Sequence, residues 1–195
     1  NKELKCDPSL SDNIEKLKSK VPYVGEVLLG HVRYGTFGGN SVENVHPFLR
    51  RNNWMHRNLI LAGNFNMTNS KELFENLVEI GQHPKEYTDT VIIMEEIGHF
   101  LDNSVRKIRK DLKKIELSKD EISKKISKKL DIFKILKKAS KKWDGGYVIG
   151  GLLGHGDSFV VRDPNGIRPA YYYKDDEVVV VASERPAIQT AFNVD

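Results

Sequence analysis

The apolar patterning of this chain predicts an α+β domain with antiparallel sheets and helices packed outside them. Three observations carry that prediction. Two short apolar runs with strand character, residues 26–34 and 59–64, come before any long helical pattern. A largely helical stretch then runs from residue 90 to residue 142. Beyond Trp143 four short β-rich runs follow, at 146–153, 158–162, 170–173 and 178–182, separated by Gly, Asp and Pro.

Each element has its own signal. Residues 7–20 are polar and lysine-rich, with Leu10, Ile14 and Leu17 at helical spacing, and read as a short surface helix. Pro22 and Gly25 punctuate before the 26–34 run, which ends beside Arg33 and a Gly35-Thr-Phe-Gly-Gly39 loop. The 59–64 run closes at Asn64, which reads as the start of an asparagine-rich turn. Asn69-Ser-Lys-Glu72 resembles a capping signal ahead of Leu73, Leu77 and Ile80. Residues 90–101 read as a buried helix. Residues 102–142 read as two lysine-rich helices: Val105, Ile108, Leu112 and Ile115 form one stripe, and Ile122, Ile126, Leu130 and Phe133 form the next. Ser118 and Glu121 have capping-box spacing at the start of the second. Lys174-Asp-Asp176 reads as a hairpin turn, and Ser183-Glu-Arg-Pro186 opens a last helix ending near Phe192.

The 195 residues suffice for one domain with a real core. No run of about 18 apolar residues occurs, so no membrane partner is expected. The single cysteine, Cys6, excludes an internal disulfide and suits a reducing compartment, consistent with a cytoplasmic protein. The net charge of +4 is uneven. Residues 101–142 carry 16 Lys/Arg against 6 Asp/Glu, and the remainder carries 15 against 21. The basic segment has almost no aromatics, and its lysines lie opposite an apolar stripe. That is the pattern of a solvated face rather than of a nucleic-acid surface. The six histidines show no metal-ligand spacing, and no glycine cluster forms a phosphate-binding fingerprint, so neither metal nor cofactor is expected in this chain.

Three residues stand out chemically. Arg33, at a strand end, has the fork geometry that grips a carboxylate, although a surface ion pair is the commoner use. Asn64 with a neighbouring backbone N–H has the donors that stabilise a tetrahedral oxyanion, although an ordinary turn is the commoner use. Asp89, just before the buried helix, suits an α-amino group, although a helix N-cap is the commoner use and the one the residues alone favour.

Several strings occur in order: His31-Val-Arg-Tyr-Gly-Thr36, His46-Pro-Phe48, Gly63-Asn-Phe-Asn-Met-Thr-Asn69, Asp89, Asp144-Gly-Gly-Tyr147, Arg162-Asp-Pro-Asn-Gly-Ile-Arg-Pro169 and Ala182-Ser-Glu184. Together they resemble the glutaminase domain of the amidophosphoribosyltransferases. These are class II glutamine amidotransferases of the N-terminal-nucleophile hydrolase superfamily. The resemblance covers residues 24–195, leaving 1–23 as a linker or surface helix and 102–142 as a basic helical insertion. It implies a four-layer αββα sandwich, here without its first strands. It implies that Arg33, with Thr36 beside it, binds the glutamine α-carboxylate and Asp89 its α-amino group. The Asn64 amide and the Phe65 backbone N–H would form the oxyanion hole.

Two departures from the family pattern bear on this reading. The family usually has His-Asn-Gly-Asn where this chain has Gly63-Asn-Phe-Asn66. Its nucleophile is an N-terminal Cys followed by Gly and a buried strand, whereas Cys6 is followed by Asp7-Pro8 and a polar helix. Cys6 is therefore read as a bystander, with the nucleophile in the remainder of the same polypeptide and this chain alone inactive. The phosphoribosyltransferase domain, where Mg would be expected, is likewise absent. The parent would act in purine biosynthesis as a homo-oligomer. The alternative is a non-catalytic glutamine-sensing or scaffold module.

Overall fold

A computed structural model describes residues 13–32, 45–84, 86–113 and 115–194. Its elements in chain order are α1 (Ile14–Lys20), β1 (Phe48–Arg50), β2 (Leu59–Met67), α2 (Ser70–Glu79), α3 (Asp89–Leu112), α4 (Lys119–Lys129), α5 (Ile132–Ala139), β3 (Gly145–Leu153), β4 (Ser158–Arg162), β5 (Tyr171–Lys174), β6 (Val179–Ala182) and α6 (Arg185–Phe192). The α+β class holds. The strands β1-β2-β3-β4 form one antiparallel sheet in that order, and β5-β6 form a separate ribbon.

The core lies on one face of the four-stranded sheet. Strand alternation sends Leu59, Leu61 and Met67 of β2, and Tyr147, Ile149 and Leu153 of β3, to that face. There they meet Leu73 and Leu77 of α2 and Ile93, Ile97 and Leu101 of α3. The opposite face carries Leu49, Ile60, Ala62, Val148 and Val160. Leu49 and Val160 are exposed, and Leu29 packs near Gly150.

Several elements differ from expectation. Residues 26–32 form no strand: Val27 and Leu28 are exposed, and the segment has no ladder partner among the described residues. β2 does not stop at Asn64. Its last residues pair with Gly145–Val148, so Asn64 and Phe65 sit inside a regular ladder opposite Val148 and Tyr147. The helix expected at 90–101 continues unbroken to Leu112, because its apolar stripe runs on through Val105. The second basic helix breaks at Leu130, and Asp131 caps a new one through the Lys134 N–H. That break resets the phase. Ile135, Leu136 and Ala139 are buried, while Phe133 is left exposed, against expectation. Ile115 is also exposed, since α3 ends before it. The Ser118–Glu121 capping box forms as predicted. Among the described residues no helix is long and apolar enough to cross a membrane.

One buried carboxylate gives a pH prediction. Glu96 in α3 accepts the Trp143 indole N–H at 2.7 Å. Burial raises its carboxyl above the ordinary range, against the smaller opposing effects of Trp143 and Lys142. The folded state then binds this proton more tightly than the unfolded chain does. Stability therefore falls as pH climbs from the unfolded value through the folded one. Glu96→Gln keeps an acceptor for Trp143 and removes the titration. Its Tm should exceed the wild type at about pH 8 and match it at about pH 4; equal curves at both values would contradict this account.

Candidate active site

The site is built on an edge of β2. β1 pairs with β2 only from Leu59 to Leu61, so beyond Leu61 that edge has no neighbouring strand among the described residues. Backbone N–H groups alternate between the two edges of a strand. Gly63 donates away from β3 to His46 Nδ1 at 3.3 Å, and Met67 donates to Asp89 Oδ2 at 2.9 Å. Phe65 lies midway between them, so its N–H is aimed at the same open edge.

Asp89 reaches this edge because α3 begins there. Thr88, not Asp89, is the N-cap, accepting the Val91 N–H at 3.3 Å. Asp89 occupies the first turn instead, and its second oxygen accepts the Ser70 hydroxyl at 2.5 Å. A carboxylate in the first turn is also favoured by the helix dipole. His46 closes the other side. Its Nδ1 accepts from Gly63, so that nitrogen carries no proton, and Nε2–H donates to Thr90 Oγ1 at 3.0 Å. The imidazole stacks on Phe65 with ring centroids 5.7 Å apart and packs edge-on to Phe48 at 5.2 Å.

The far end of β2 is tied to β3. Thr68 donates its hydroxyl to the Asp144 carboxylate and its N–H to the Asp144 carbonyl. The Arg162–Pro169 string folds into a loop locked by one buried carboxylate. Asp163 accepts the N–H groups of Ile167 at 2.8 Å, Arg168 at 3.1 Å and Tyr147 at 3.3 Å. Burial opposes its charge, but these bonds outweigh burial and hold the carboxyl below its ordinary range. Arg162 donates to the carbonyls of Arg168 and Gly166.

Of the residues singled out in the sequence, Asp89 and Phe65 come together on this edge. Asn64 projects its side chain to the outer sheet face, where it is exposed beside Val148. Arg33, Thr36 and Cys6 lie outside the described residues. His46, Ser70 and Thr90 were not singled out as functional. The placement of His46 beside Pro47 and Phe48 in a motif of the resemblance was the available signal. Ser70 and Thr90 gave none beyond their closeness to helix starts.

The α+β fold that carries this open strand edge is matched by known proteins. Residues 4–136 match the family model of the class-II glutamine amidotransferases, and the chain belongs to that family. Its curated relatives include amidophosphoribosyltransferases. That of Methanothermobacter thermautotrophicus is 31% identical over 94% of this chain and 32% of its own length. That of Escherichia coli is 30% identical over 85% of this chain and 30% of its own length. The chain thus spans about a third of these relatives. Among solved structures, the glutamine phosphoribosylpyrophosphate amidotransferase of B. subtilis, complexed with ADP and GMP, superposes with a TM-score of 0.57. The identity is 25%, covering 82% of this chain and 28% of that one.

Proposed function

We propose that this chain is the glutamine-holding part of an amidophosphoribosyltransferase, a fragment of a larger polypeptide of purine biosynthesis. The observation that carries the reading is the β2 edge, with the Phe65 N–H flanked by the Asp89 carboxylate. Two residues along a strand span about 7 Å, of the order of the reach of glutamine from its α-amine to its side-chain carbonyl. Asp89 takes the α-ammonium, and Arg33, with Thr36, takes the α-carboxylate. The Phe65 N–H faces the side-chain carbonyl oxygen, whereas strand alternation turns the Asn64 amide to the outer sheet face and away from this donor. Phe65 in place of the family's Gly leaves this donor intact, since the ladder is extended and Phe65 is not among the described residues with positive φ.

In the proposed reaction a thiolate from an N-terminal cysteine elsewhere in the polypeptide attacks the amide carbon. The oxyanion forms at the Phe65 edge, and the C–N bond breaks as the leaving nitrogen takes a proton. Ammonia departs toward a phosphoribosyl pyrophosphate site in a separate domain that would use Mg. Water then hydrolyses the thioester to glutamate. The exposed outer sheet face would receive a second β layer, completing the αββα sandwich around the 102–142 insertion. The parent is read as a cytoplasmic homo-oligomer.

Two measurements test this. The 195-residue chain should release no glutamate from glutamine, whereas the full polypeptide should; release by the chain alone, abolished by Cys6→Ala, would reverse the reading of Cys6. In the full polypeptide Arg33→Ala should raise KM for glutamine at least about thirtyfold, as expected when a charge-assisted bidentate contact is lost. An unchanged KM would remove Arg33 from the site.

A further inference from the structure

Resting on the glutamine-site reading above, we infer that His46 is a positioning residue that fixes the β2 edge so that the Phe65 N–H is presented to the oxyanion. Three amides face that edge, at Gly63, Phe65 and Met67. The outer two are taken, by His46 Nδ1 at 3.3 Å and by Asp89 Oδ2 at 2.9 Å. Holding a donor on each side of Phe65 removes the edge's freedom to twist, a restraint that β1 would supply had it continued past Leu61.

The imidazole is itself held. Nε2–H is anchored on Thr90 Oγ1 at 3.0 Å, which ties it to the first turn of α3, the same turn that carries Asp89. Its faces meet Phe65 at 5.7 Å and His31 at 4.6 Å between ring centroids. Both holding groups therefore come from or lean on one helix terminus, so the amine site and the oxyanion donor share a frame. Gly63 fits this arrangement for steric reasons. A Cβ there would lie 2.4 Å from the Val148 carbonyl oxygen and 3.1 Å from the Phe65 ring. The Val148 carbonyl thus leaves no room for a side chain at position 63, and the Phe65 ring adds a second, tight contact.

The two ring nitrogens do separate jobs, and amide side chains can replace them one at a time. Asparagine places an acceptor where Nδ1 lies. Glutamine places its polar atoms farther out, at the level of Nε2. Hydrogen–deuterium exchange at residue resolution on the full polypeptide, with glutamine-hydrolysis kinetics on the same variants, provides the test. H46A and H46Q should speed exchange of the Gly63 amide at least tenfold and lower kcat at least tenfold, with KM within threefold. H46N should stay within threefold of wild type in both. Thr90→Val should resemble a milder H46A. Gly63 exchange unchanged in H46A, or H46N no better than H46A, would overturn the inference. If the wild type hydrolyses no glutamine, the functional reading fails, and the exchange pattern alone still decides whether His46 holds the edge.

Discussion

Asp102→Ala is expected to lower the unfolding free energy by about 3 kcal/mol, because it removes the two-point, charge-assisted partner of a buried guanidinium. Arg50 of β1 forms a two-point contact with Asp102 of α3, at 2.9 and 3.3 Å, and donates to Glu95 at 3.1 Å and to the Arg57 carbonyl at 3.3 Å. Its side chain is only 13% exposed. Burial alone would disfavour the charge, and Asp102 and Glu95 outweigh it, so the guanidinium is held more firmly charged than in water. Without Asp102 the fork retains one carboxylate and one carbonyl. Removing one partner of a buried pair costs far more than the pair is worth in total. Urea denaturation measures this directly through the midpoint at constant slope. A loss under about 0.5 kcal/mol would place the pair with ordinary surface bridges.

The same network explains a glycine inside a long helix. A Cβ at Gly98 would lie 2.5 Å from Arg50 Nε. Gly98 therefore gives up helix propensity, about 1 kcal/mol, to admit the guanidinium. The consequence reaches the site, because β1 follows directly on His46 and Pro47. Pinning Arg50 to α3 sets the distance between His46 and the helix terminus that bears Asp89 and Thr90.

Much of this domain was legible in the sequence wherever one physical signal acted alone. The capping box at Ser118 and the hairpin around Asp175 depend on residues within a few positions of each other, and both formed. Errors arose where a nonlocal partner decided the outcome. Asn64 and Asn66 look like turn residues, but the facing run at 145–148 extends the ladder through them. The 26–34 run has strand composition, yet its described part meets no strand. At Asp131 a capping carboxylate outcompeted a continuing stripe and exposed Phe133. For the site, the resemblance pointed to Asp89 and the Phe65 amide, and the fold brings both to one strand edge. Residue types could not foretell the hold of His46 on Gly63, because a histidine's role depends on which backbone groups the fold brings to its two nitrogens.

Asp89→Asn should weaken glutamine binding by about a hundredfold while costing about 1 kcal/mol of stability. Asp89 serves two masters. Structurally it accepts the Met67 N–H and the Ser70 hydroxyl. Asparagine keeps one oxygen for the Met67 amide, so only the Ser70 contact is disturbed. Functionally its charge is the proposed partner of the α-ammonium, and a hydrogen bond between two charged groups is worth about 3 kcal/mol, twice a neutral one. Asp89→Ala removes both roles and should cost about 2 kcal/mol in stability as well, from two donors left without their acceptor. Calorimetric titration with glutamine beside thermal melting separates the two effects. If asparagine binds glutamine as well as aspartate does, the carboxylate is a helix-start brace and the amine must be sought elsewhere. If asparagine is as unstable as alanine, the affinity loss reports a damaged edge rather than a lost charge.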